Sequence, residues 1–583
     1  MNVEELAALA DAGTLRCDVL VVGGGPAGLT VARALAGTRR DVLVLESGRL
    51  QEAPETEELN TVIGDPDAWT AEQLRRRETF HAPQARLWSN DRQAFGVRCR
   101  ALGGSTAAWA GKSAAFDTID FAARPWVPNS GWPVRRDEIE LHLDRAASSL
   151  NLGVNCYDDG LWEVMHRRPP EPRPDPAVMG SFFWQFARST IDPMDVMRVG
   201  AEFLANPPEN CRVLTGATVL EVLTDPSGGR ATGVAAGDMS GRRHIIEARA
   251  VVLAASAIEN ARLLLNSRSE AHPDGVGNRH GNVGRYLMDH PSAVVAHFEP
   301  DAVVRMAEMF GFFGVKSAAG VNMYMRGLAP TQQVQEAEKL LNCAVFMPGE
   351  RAPDDPWDAF KRLLKRKSGS PASDVMAIVK SPGLVAKGAG RLAFQSKYFP
   401  KPVSRFVIDQ IIRFRPSLAV EEYMTGGVPH KLVGLPIHAI CEQAPDRDNR
   451  VYLSDRTDRF GMRLPAVRWK VGEMETGTLI RLTEIVQRSL GAAGLPKPVA
   501  EPWVTQKDGA AAAIIDMAHT AGTTRMSETP TTGVVDANCR VFGCDGLYVA
   551  GGSVFPTSGH ANSTLMIVAF AHRLADHLAG QLR

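Results

Sequence analysis

A glycine-rich turn between an apolar strand and a helix restricts the fold of this chain more than any other feature of its sequence. Residues 17–22 form a short apolar run rich in β-branched side chains, and the motif Gly23-x-Gly25-x-x-Gly28 follows at once. Helical apolar spacing comes next, and a second buried strand at 41–45 ends at Glu46. These segments predict one βαβ unit of about 30 residues with parallel strands.

Each glycine of the motif is required for a separate reason. Gly23 permits the tight turn, Gly25 lets the backbone approach a pyrophosphate, and Gly28 lets helix and strand pack closely. The helix N-terminus presents its positive dipole end to phosphate groups, and Glu46 can accept hydrogen bonds from ribose hydroxyls. A glycine-rich turn without a ligand is the alternative, but the complete context favours a dinucleotide site. The motif alone does not separate FAD from NAD.

Bulk composition is that of an ordinary globular enzyme. A length of 583 residues favours two or more domains, and 44% hydrophobic with 22% charged residues is typical of such proteins. A net charge of −1 gives no argument for nucleic acid or an anionic membrane as a partner. No apolar run approaches the roughly 18 residues that a transmembrane helix needs.

The N-terminus and the cysteines bear on cellular location. Residues 1–16 contain no apolar segment of the kind found in a secretory signal. The eight cysteines are scattered and form no Cys-x-x-Cys pair, so no metal site and no haem attachment site are predicted. We therefore predict a cytoplasmic protein with reduced thiols.

Apolar periodicity predicts further elements along the chain. The predicted strands lie at 213–223, 250–255, 451–453, 466–469 and 546–552, and the predicted helices at 137–151, from 255 through Leu265, at 474–492 and from Ser563 or Thr564 to about Leu578. Residues 49–100 show no clear period. From about 292 to 505 the βαβ rhythm is lost, and the strands there are expected to form an antiparallel sheet.

Three later groups of residues carry a resemblance to a known family. They are Gly103-Gly104-Ser105-Thr106 with Trp109 and 130–133; the segment Gly284 to Pro291; and His519 to Met526 with Asp536, Arg540-Val541, 551–557 and 562–565. Together with the N-terminal motif, they resemble the glucose–methanol–choline (GMC) oxidoreductase family. The similarity is greatest to its sugar-oxidising branch, the pyranose oxidases and the fructose or glucoside dehydrogenases. It covers about 15–295 and 435–580 and is weak between them.

The resemblance implies a fold and an activity. The expected fold is α/β, a Rossmann-type FAD-binding domain with a second α+β substrate domain built on an antiparallel sheet. The first domain would comprise 1–295 and 506–583, and the second 296–505 with part of 120–200. The implied activity is FAD-dependent oxidation of an alcohol hydroxyl on a sugar, glycoside or cyclitol.

The resemblance places the catalytic pair at His519 and Asn562. His519 begins the family's His-x-x-Gly-Thr-x-Arg-Met segment, and Asn562 lies five residues after Thr557. Oxidation of an alcohol requires an acceptor for the hydroxyl proton, and histidine has a suitable pKa. Asn562 would hold the hydroxyl against this base. The alternatives are a structural histidine and an ordinary first residue of a helix.

Ten residues are predicted to bind FAD. They are Gly23, Gly25, Gly28, Glu46, Gly103, Gly104, Ser105, Val219, Gly552 and Ser563. A helix that begins at Ser563 would stabilise negative charge on the reduced flavin ring. Some pyranose oxidases tether the flavin through a histidine where this chain has Ala108, so we predict non-covalent FAD. The predicted partners are a small hydroxyl substrate and oxygen or a quinone-like electron acceptor.

Four polar residues have less definite roles. His560 is two residues before Asn562, and it is either a bystander or a substrate contact. Glu442 and Gln443 belong either to a solvated loop or to the substrate site. His290, in an Asp-His-Pro turn, is predicted to be structural.

A basic segment at 361–415 has no counterpart in the resemblance. It contains thirteen Lys or Arg residues against two Asp residues, with apolar side chains between them. A solvated face of the substrate domain is the simplest interpretation. The other interpretations are an anionic substrate, an electron-accepting partner or a membrane surface.

Two other functions are compatible with the dinucleotide motif. One is a flavoprotein of another class, such as an amine oxidase or a pyridine-nucleotide reductase; the reductase needs a second glycine motif and a redox cysteine pair, and the sequence contains neither. The other is a non-catalytic flavin-binding protein whose basic segment makes the functional contact. Bleaching of the flavin by a sugar without air separates an enzyme from such a binding protein.

Overall fold

Two large β-sheets with helices packed around them make up the described part of the chain. The computed structural model describes residues 3–9, 14–65, 68–192, 195–317, 320–352, 354–364, 370–383 and 432–582. Most of the basic segment 361–415 therefore lies outside the described residues.

The strands are, in chain order, β1 Val3–Glu5, β2 Leu15–Val22, β3 Val42–Leu45, β4 Ile63–Gly64, β5 Lys112–Ser113, β6 Met179–Phe186, β7 Cys211–Thr215, β8 Ala217–Thr224, β9 Ala231–Asp238, β10 Arg243–Leu253, β11 Ser292–His297, β12 Phe312–Ser317, β13 Gly320–Pro330, β14 Cys343–Phe346, β15 Glu350–Arg351, β16 Leu432–Gly434, β17 Pro436–Cys441, β18 Arg450–Thr457, β19 Arg463–Arg468, β20 Val499–Ala500 and β21 Leu547–Val549.

The α-helices are α1 Pro26–Ala34, α2 Pro54–Glu57, α3 Ala71–His81, α4 Thr118–Phe121, α5 Glu140–Ser149, α6 Leu161–Val164, α7 Val199–Ala205, α8 Ser256–Asn266, α9 Val303–Met309, α10 Gln332–Glu338, α11 Pro356–Leu364, α12 Pro371–Lys380, α13 Glu473–Ala492, α14 Pro502–Thr505 and α15 Thr564–Gln581. Short 3-10 turns lie at Leu6–Ala8, Glu58–Asn60, Gly104–Ala107, Asp137–Ile139, Gly509–Ala511 and Gly552–Val554.

The first sheet has the order β1-β7-β3-β2-β10-β9-β8, and β21 also pairs with β10. Neighbouring strands in the row β1-β7-β3-β2-β10 are parallel, and so are β10 and β21. The pairs β10-β9 and β9-β8 are antiparallel. The second half of β2 and the whole of β3 are buried, as expected for a parallel sheet covered on both faces. The predicted βαβ unit is confirmed, with α1 between these two strands.

The second sheet is antiparallel, with the order β20-β11-β17-β14-β13-β6-β5 and β12 beside β13. Its pairings join segments that are far apart in sequence, such as β6 with β13. The predicted α/β fold with a Rossmann-type part and a second part built on an antiparallel sheet is confirmed. The residue boundaries 1–295, 296–505 and 506–583 stay a prediction.

Several elements differ from the sequence prediction. The single strand predicted at 213–223 is two strands, because Gly216 turns the chain at a positive φ of 62°. The region 49–100, predicted to be irregular, contains α3, which begins with a capping box between Thr70 and Gln73. The helix predicted at 474–492 is confirmed as α13. Within the described ranges, no helix is both long and apolar enough to cross a bilayer.

Candidate functional site

A cavity of about 500 Å³ lies between the two sheets. One end is formed at the carboxyl ends of β2, β3 and β10, the edge at which open α/β sheets bind ligands. The opposite wall is formed by side chains of the second sheet. Those side chains are Lys112, Phe186, Phe312, Met325, Phe346 and Ile440. His519 and Asn562 also line the cavity, so it connects the glycine motif to the predicted catalytic pair.

The glycine motif has the geometry that a bound pyrophosphate requires. A Cβ atom on Gly25 would meet no atom within 4 Å, because this position faces the cavity. A Cβ atom on Gly28 would lie 2.0 Å from the Gly23 carbonyl oxygen, so Gly28 serves the packing of α1 on its strand. Gly23 has a positive φ of 108° and permits the turn itself. The loop therefore leaves open space only where the ligand would lie.

Glu46 is buried at the end of β3 and borders the same end of the cavity. Its Oε2 accepts a hydrogen bond from the Gly24 N–H (2.8 Å), and its Oε1 accepts one from the Gly48 N–H (2.7 Å). Burial raises the pKa of Glu46, and these two donors oppose that shift by stabilising the carboxylate. Glu46 thus fixes the glycine loop, and its carboxylate borders the cavity where a ribose is predicted.

A second glycine turn packs directly on the first. The Gly103 N–H donates to the Gly24 carbonyl oxygen (2.7 Å), and a Cβ atom on Gly104 would lie 3.0 Å from the Gly25 Cα. Both glycines have positive φ angles, 103° and 55°. Gly104 and Ser105 line the cavity, whereas Gly103 and Gly28 act through the shape of the backbone.

The remaining predicted FAD contacts also surround the cavity. Val219, Gly552 and Ser563 line it, and so does Ala108 at the position where some relatives carry a tethering histidine. Ser563 is the N-cap residue of α15, but its side chain makes no capping hydrogen bond. The predicted start of this helix at Ser563 or Thr564 is confirmed, although the Ser563 side chain does not cap it. The N-terminus of α15 still faces the cavity, since Ser563 and Thr564 both border it.

Asp289 holds the backbone that carries His519. Its Oδ2 accepts from the His519 N–H (2.9 Å), and its Oδ1 accepts from the N–H groups of Met517 (2.8 Å) and His290 (2.7 Å). Between Met517 and His519 the chain passes through Ala518, at a positive φ of 60°. Burial raises the pKa of Asp289, whereas these three donors stabilise its charged form. The carboxylate thus closes the turn that projects the His519 ring into the cavity.

A buried ion pair anchors the same turn from the other side. The Asp516 carboxylate lies 2.6 Å from Nε of Arg77 on α3, and both side chains are fully buried. Asp516 also accepts from the Gly96 N–H (3.2 Å). The segment before His519 is therefore fixed to α3 as well as to Asp289.

A chain of hydrogen bonds fixes the tautomer of His519. Nε2 of His290 is 3.3 Å from the Ser558 carbonyl oxygen, which can only accept, so this nitrogen carries a proton. In a neutral His290 the other nitrogen, Nδ1, must accept, and it lies 2.9 Å from Nδ1 of His519. Nδ1 of His519 is then the donor. Nε2 of His519 is left with a free lone pair toward the cavity.

Asn562 faces that lone pair. Its Nδ2, which carries N–H donors, lies 3.0 Å from the unprotonated Nε2 of His519, which accepts. Its Oδ1 is buried and has no hydrogen-bond partner in the described structure. Asn562 therefore has an unused acceptor beside the base.

Burial keeps the histidines of this site neutral. It lowers the pKa of His519 well below the ordinary value, and the neighbouring His290 and Lys112 lower it further. Burial also lowers the pKa of His290 to about 3. Both rings are consequently neutral near pH 7, as the hydrogen-bond chain assumes.

His560 does not reach the cavity wall. Its ring is 1% exposed, packs 4.5 Å from the ring of Phe182, and has no hydrogen-bond partner on either nitrogen in the described structure. Its placement among aromatic rings gives no support to a role as a substrate contact.

Gln443 and Glu442 lie behind the site. Oε1 of Gln443 accepts from the Asp289 N–H (3.0 Å) and from Nε1 of Trp469 (2.6 Å), and the side chain is fully buried away from the cavity wall. Gln443 thus supports the Asp289 turn, and its position does not favour the predicted substrate contact. Glu442 forms a buried ion pair with Arg124 (Oε2–Nη2, 2.9 Å), so it does not belong to a solvated loop.

His290 and Lys112 are the residues of this site that sequence reasoning did not assign to it. His290 was expected to be only structural, yet it bonds directly to His519 across 229 positions of sequence. The Asp-His-Pro segment was a visible signal for it. For Lys112, which follows the Gly-Gly segment, no residue pattern indicated a role. Within the described residues, no cluster of side chains could hold a metal ion.

Comparison with known proteins agrees with this geometry. The C-terminal GMC oxidoreductase model matches residues 445–571, the N-terminal GMC oxidoreductase model matches 201–292, and an NAD(P)-binding Rossmann-like model matches 21–49. The chain belongs to the GMC oxidoreductase family. As a GMC oxidoreductase it is an FAD-dependent alcohol oxidoreductase. The open space at Gly25, the Glu46 carboxylate and the continuous cavity from the glycine loop to His519 fit that cofactor.

This GMC oxidoreductase is similar to curated proteins along nearly its whole length. It is 24% identical to paromamine 6'-oxidase of Streptomyces fradiae, over 97% of this chain and 92% of that protein. It is 22% identical to the fructose dehydrogenase large subunit of Gluconobacter japonicus, over 98% and 99%. A fungal aryl-alcohol oxidase structure matches 98% of this chain and 100% of its own, with a TM-score of 0.54 and 15% identity, which shows the shared fold.

Proposed function

We propose that this enzyme oxidises a hydroxyl group of a sugar, glycoside or cyclitol, with His519 accepting the hydroxyl proton. The observation that carries the proposal is the contact of His519 Nε2 with Asn562 at the cavity wall. An unprotonated imidazole nitrogen beside an amide donor provides both the base and the orienting group that the reaction requires. FAD, when bound, supplies the acceptor for the hydride that leaves the carbinol carbon.

Asn562 would position the substrate hydroxyl. Its Nδ2–H, which now donates to Nε2 of His519, can instead donate to the oxygen of a substrate hydroxyl that lies beside both side chains. The hydroxyl hydrogen then points at Nε2 of His519. As the carbonyl forms, the proton moves from the hydroxyl oxygen to Nε2, and the carbon loses its hydride.

His290 is a positioning residue in this scheme. By accepting the Nδ1–H of His519, it holds the tautomer in which Nε2 is free. It also stabilises the imidazolium that forms when Nε2 takes the proton. The Ser558 carbonyl accepts from Nε2 of His290 and so keeps His290 in the tautomer whose Nδ1 is an acceptor.

The N-terminus of α15 would stabilise negative charge inside the cavity. This helix of 18 residues begins at Thr564, directly after Asn562 and Ser563. Its positive dipole end faces the cavity and favours developing anionic charge there.

The sugar class is supported by the relatives. Fructose dehydrogenase and paromamine 6'-oxidase match this chain over more than nine tenths of their length. The electron acceptor, oxygen or a quinone-like compound, stays a prediction. So does a cytoplasmic location, which agrees with scattered cysteines that form no Cys-x-x-Cys pair.

An anaerobic substrate panel tests the proposal. FAD-loaded protein is mixed with sugars, glycosides, cyclitols and simple amines, and the flavin absorbance is followed without air. We expect a hydroxyl compound to bleach the flavin and to yield the corresponding carbonyl product. Bleaching by amines alone would contradict the proposal. Reoxidation in air and with quinones then identifies the acceptor.

A further inference from the structure

Lys112 places a cationic side chain on the cavity wall opposite the nucleotide end. It lies on β5, which pairs with β6 at the edge of the second sheet. Its Nζ is 4.1 Å from the ring centroid of Trp184 and 3.9 Å from that of Phe346. The ammonium therefore rests on two aromatic faces and borders the space that His519 and Asn562 also line.

Lys112 has no anionic partner within the described residues. The carboxylates that line the cavity belong to Glu46, at the nucleotide end, and to Glu259. Glu46 accepts backbone N–H groups of the glycine loop, and Glu259 forms ion pairs with Arg98, Arg100 and Arg262. Burial alone lowers the pKa of Lys112 to about 7, with no carboxylate to oppose it. Burying an ammonium group without an anionic partner costs free energy, and a bound anion would offset that cost.

The titratable groups around Lys112 are neutral. They are His290, His438, His519 and His560, and the charge of Lys112 contributes to the lowered pKa of each. These histidines offer no compensating negative charge. Lys112 and His519 line the same cavity, so the ammonium borders the space that the proposed catalytic base also borders.

We propose that Lys112 forms an anion subsite and that the hydroxyl substrate of this enzyme carries a carboxylate, as a sugar acid does. The proposal rests on the proposed alcohol oxidation and names its substrate class. Lys112 belongs to the wall built by the second sheet, away from the glycine motif, so the substrate is the ligand that it meets.

The surroundings favour a carboxylate over other charged groups. One ammonium on an aromatic wall matches a single negative charge, whereas a phosphate dianion is usually met by several donors or cations. A protonated amine at the same place would face Lys112 with like charge and no carboxylate to bind it. A neutral sugar would leave the ammonium unpaired.

Binding of a matched pair of unreactive ligands tests the subsite directly. Benzoate and benzamide have the same shape and differ in charge. Calorimetric titration of the FAD-loaded enzyme at pH 6 should show tighter binding of benzoate. The preference should weaken at pH 8, because free Lys112 loses its proton as the pH rises through about 7.

Three variants distinguish an effect of the Lys112 charge on binding from an effect on folding. Lys112→Met keeps the length and apolar stem of the side chain, and it should weaken benzoate binding roughly 10- to 100-fold without changing benzamide binding. Lys112→Arg should retain the preference for benzoate. The exposed Lys497→Met is the matched control and should behave as the parent enzyme.

Kinetics with substrates then tests the substrate class. With glucuronate, glucose and glucosamine as probes, Lys112→Met should raise KM for the acid and leave kcat nearly unchanged. Equal binding of benzoate and benzamide, or benzoate binding that survives Lys112→Met, would overturn the subsite. A change in the flavin spectrum of the ligand-free Lys112→Met variant would also overturn the subsite, because it would show that Lys112 contacts the cofactor. Failure of every hydroxyl compound to bleach the flavin would instead overturn the proposed alcohol oxidation, whatever the benzoate result.

Discussion

Single side chains set the chemistry of this site through their hydrogen bonds. His519 alone could present either nitrogen to the cavity. The carbonyl of Ser558, acting through His290, selects the tautomer with Nε2 free. Asp289 fixes the backbone from which the ring projects. The proposed base is thus defined by three neighbours that do not line the cavity.

Removal of the His290 acceptor should slow proton transfer without loss of FAD. His290→Leu leaves Nδ1 of His519 without its partner and allows either tautomer, so flavin reduction should slow by about 10–100-fold, less than loss of the base itself. His290→Asn offers an oxygen as acceptor and should recover part of the rate. Anaerobic stopped-flow of both variants, with their pH profiles, measures this. Equal rates in parent and His290→Leu would exclude the positioning role.

The pH profile should reflect the lowered pKa of His519. Protonation of this base stops proton acceptance, so the rate falls as the pH drops through its pKa. Because burial lowers that pKa below the ordinary 6.5, the fall should begin only at more acidic pH. A rate of flavin reduction that halves at or above pH 6.5 would show that the ring is not buried as described.

At the scale of elements, the two glycine loops and the N-terminus of α15 border the cavity in which we predict FAD. Gly25 and Gly28 lie three residues apart, but they serve different purposes. The first leaves space for a ligand, and the second lets α1 contact the strand below it.

Substitution of these two glycines by alanine should separate binding from folding. Gly25→Ala adds a Cβ atom into open space at an extended backbone geometry, so the fold should persist while FAD retention weakens. Gly28→Ala puts a Cβ atom 2.0 Å from a backbone oxygen and should destabilise the protein by about 1–3 kcal/mol or more. Thermal melts and the ratio of flavin to protein absorbance test the pair. Full FAD content in Gly25→Ala would contradict the pyrophosphate assignment.

Elements built from neighbouring residues were predictable, and long-range pairings were not. The first βαβ unit and α13 follow from local apolar periods. In contrast, β6 is nearly all buried, with no alternation to reveal it, and its partner β13 begins more than 130 residues later. Likewise His519 and Asn562 could be found from motifs. His290 and Lys112 could not be assigned to the site, because their contacts join segments far apart in the chain.

The whole molecule encloses its cofactor site between two sheets. The first sheet supplies the nucleotide end, the second supplies the opposite wall, and residues 517–519 also line the cavity. Cofactor binding should therefore stabilise both parts together.

Loss of FAD should be reversible and should lower the melting temperature. Ala108 offers no side chain for a covalent bond at the position where some relatives are tethered. Acid precipitation should release intact FAD into the supernatant, and the apoprotein should melt below the FAD-loaded form, as expected for a ligand that binds only the folded state. Flavin that stays with the pellet would demonstrate covalent attachment through another residue.

The central claim is that His519 is the base, Asn562 orients the hydroxyl and His560 is a bystander, and anaerobic stopped-flow reduction of three alanine variants tests it most directly. His519→Ala should slow flavin reduction by roughly 10²–10⁴-fold with FAD content nearly unchanged, because a positioned base contributes about that much. Asn562→Ala should slow it less, and His560→Ala least, since His560 lies among aromatic rings away from the cavity wall. If His560→Ala is as damaging as His519→Ala while Asn562→Ala is silent, the assignment of the catalytic pair is wrong.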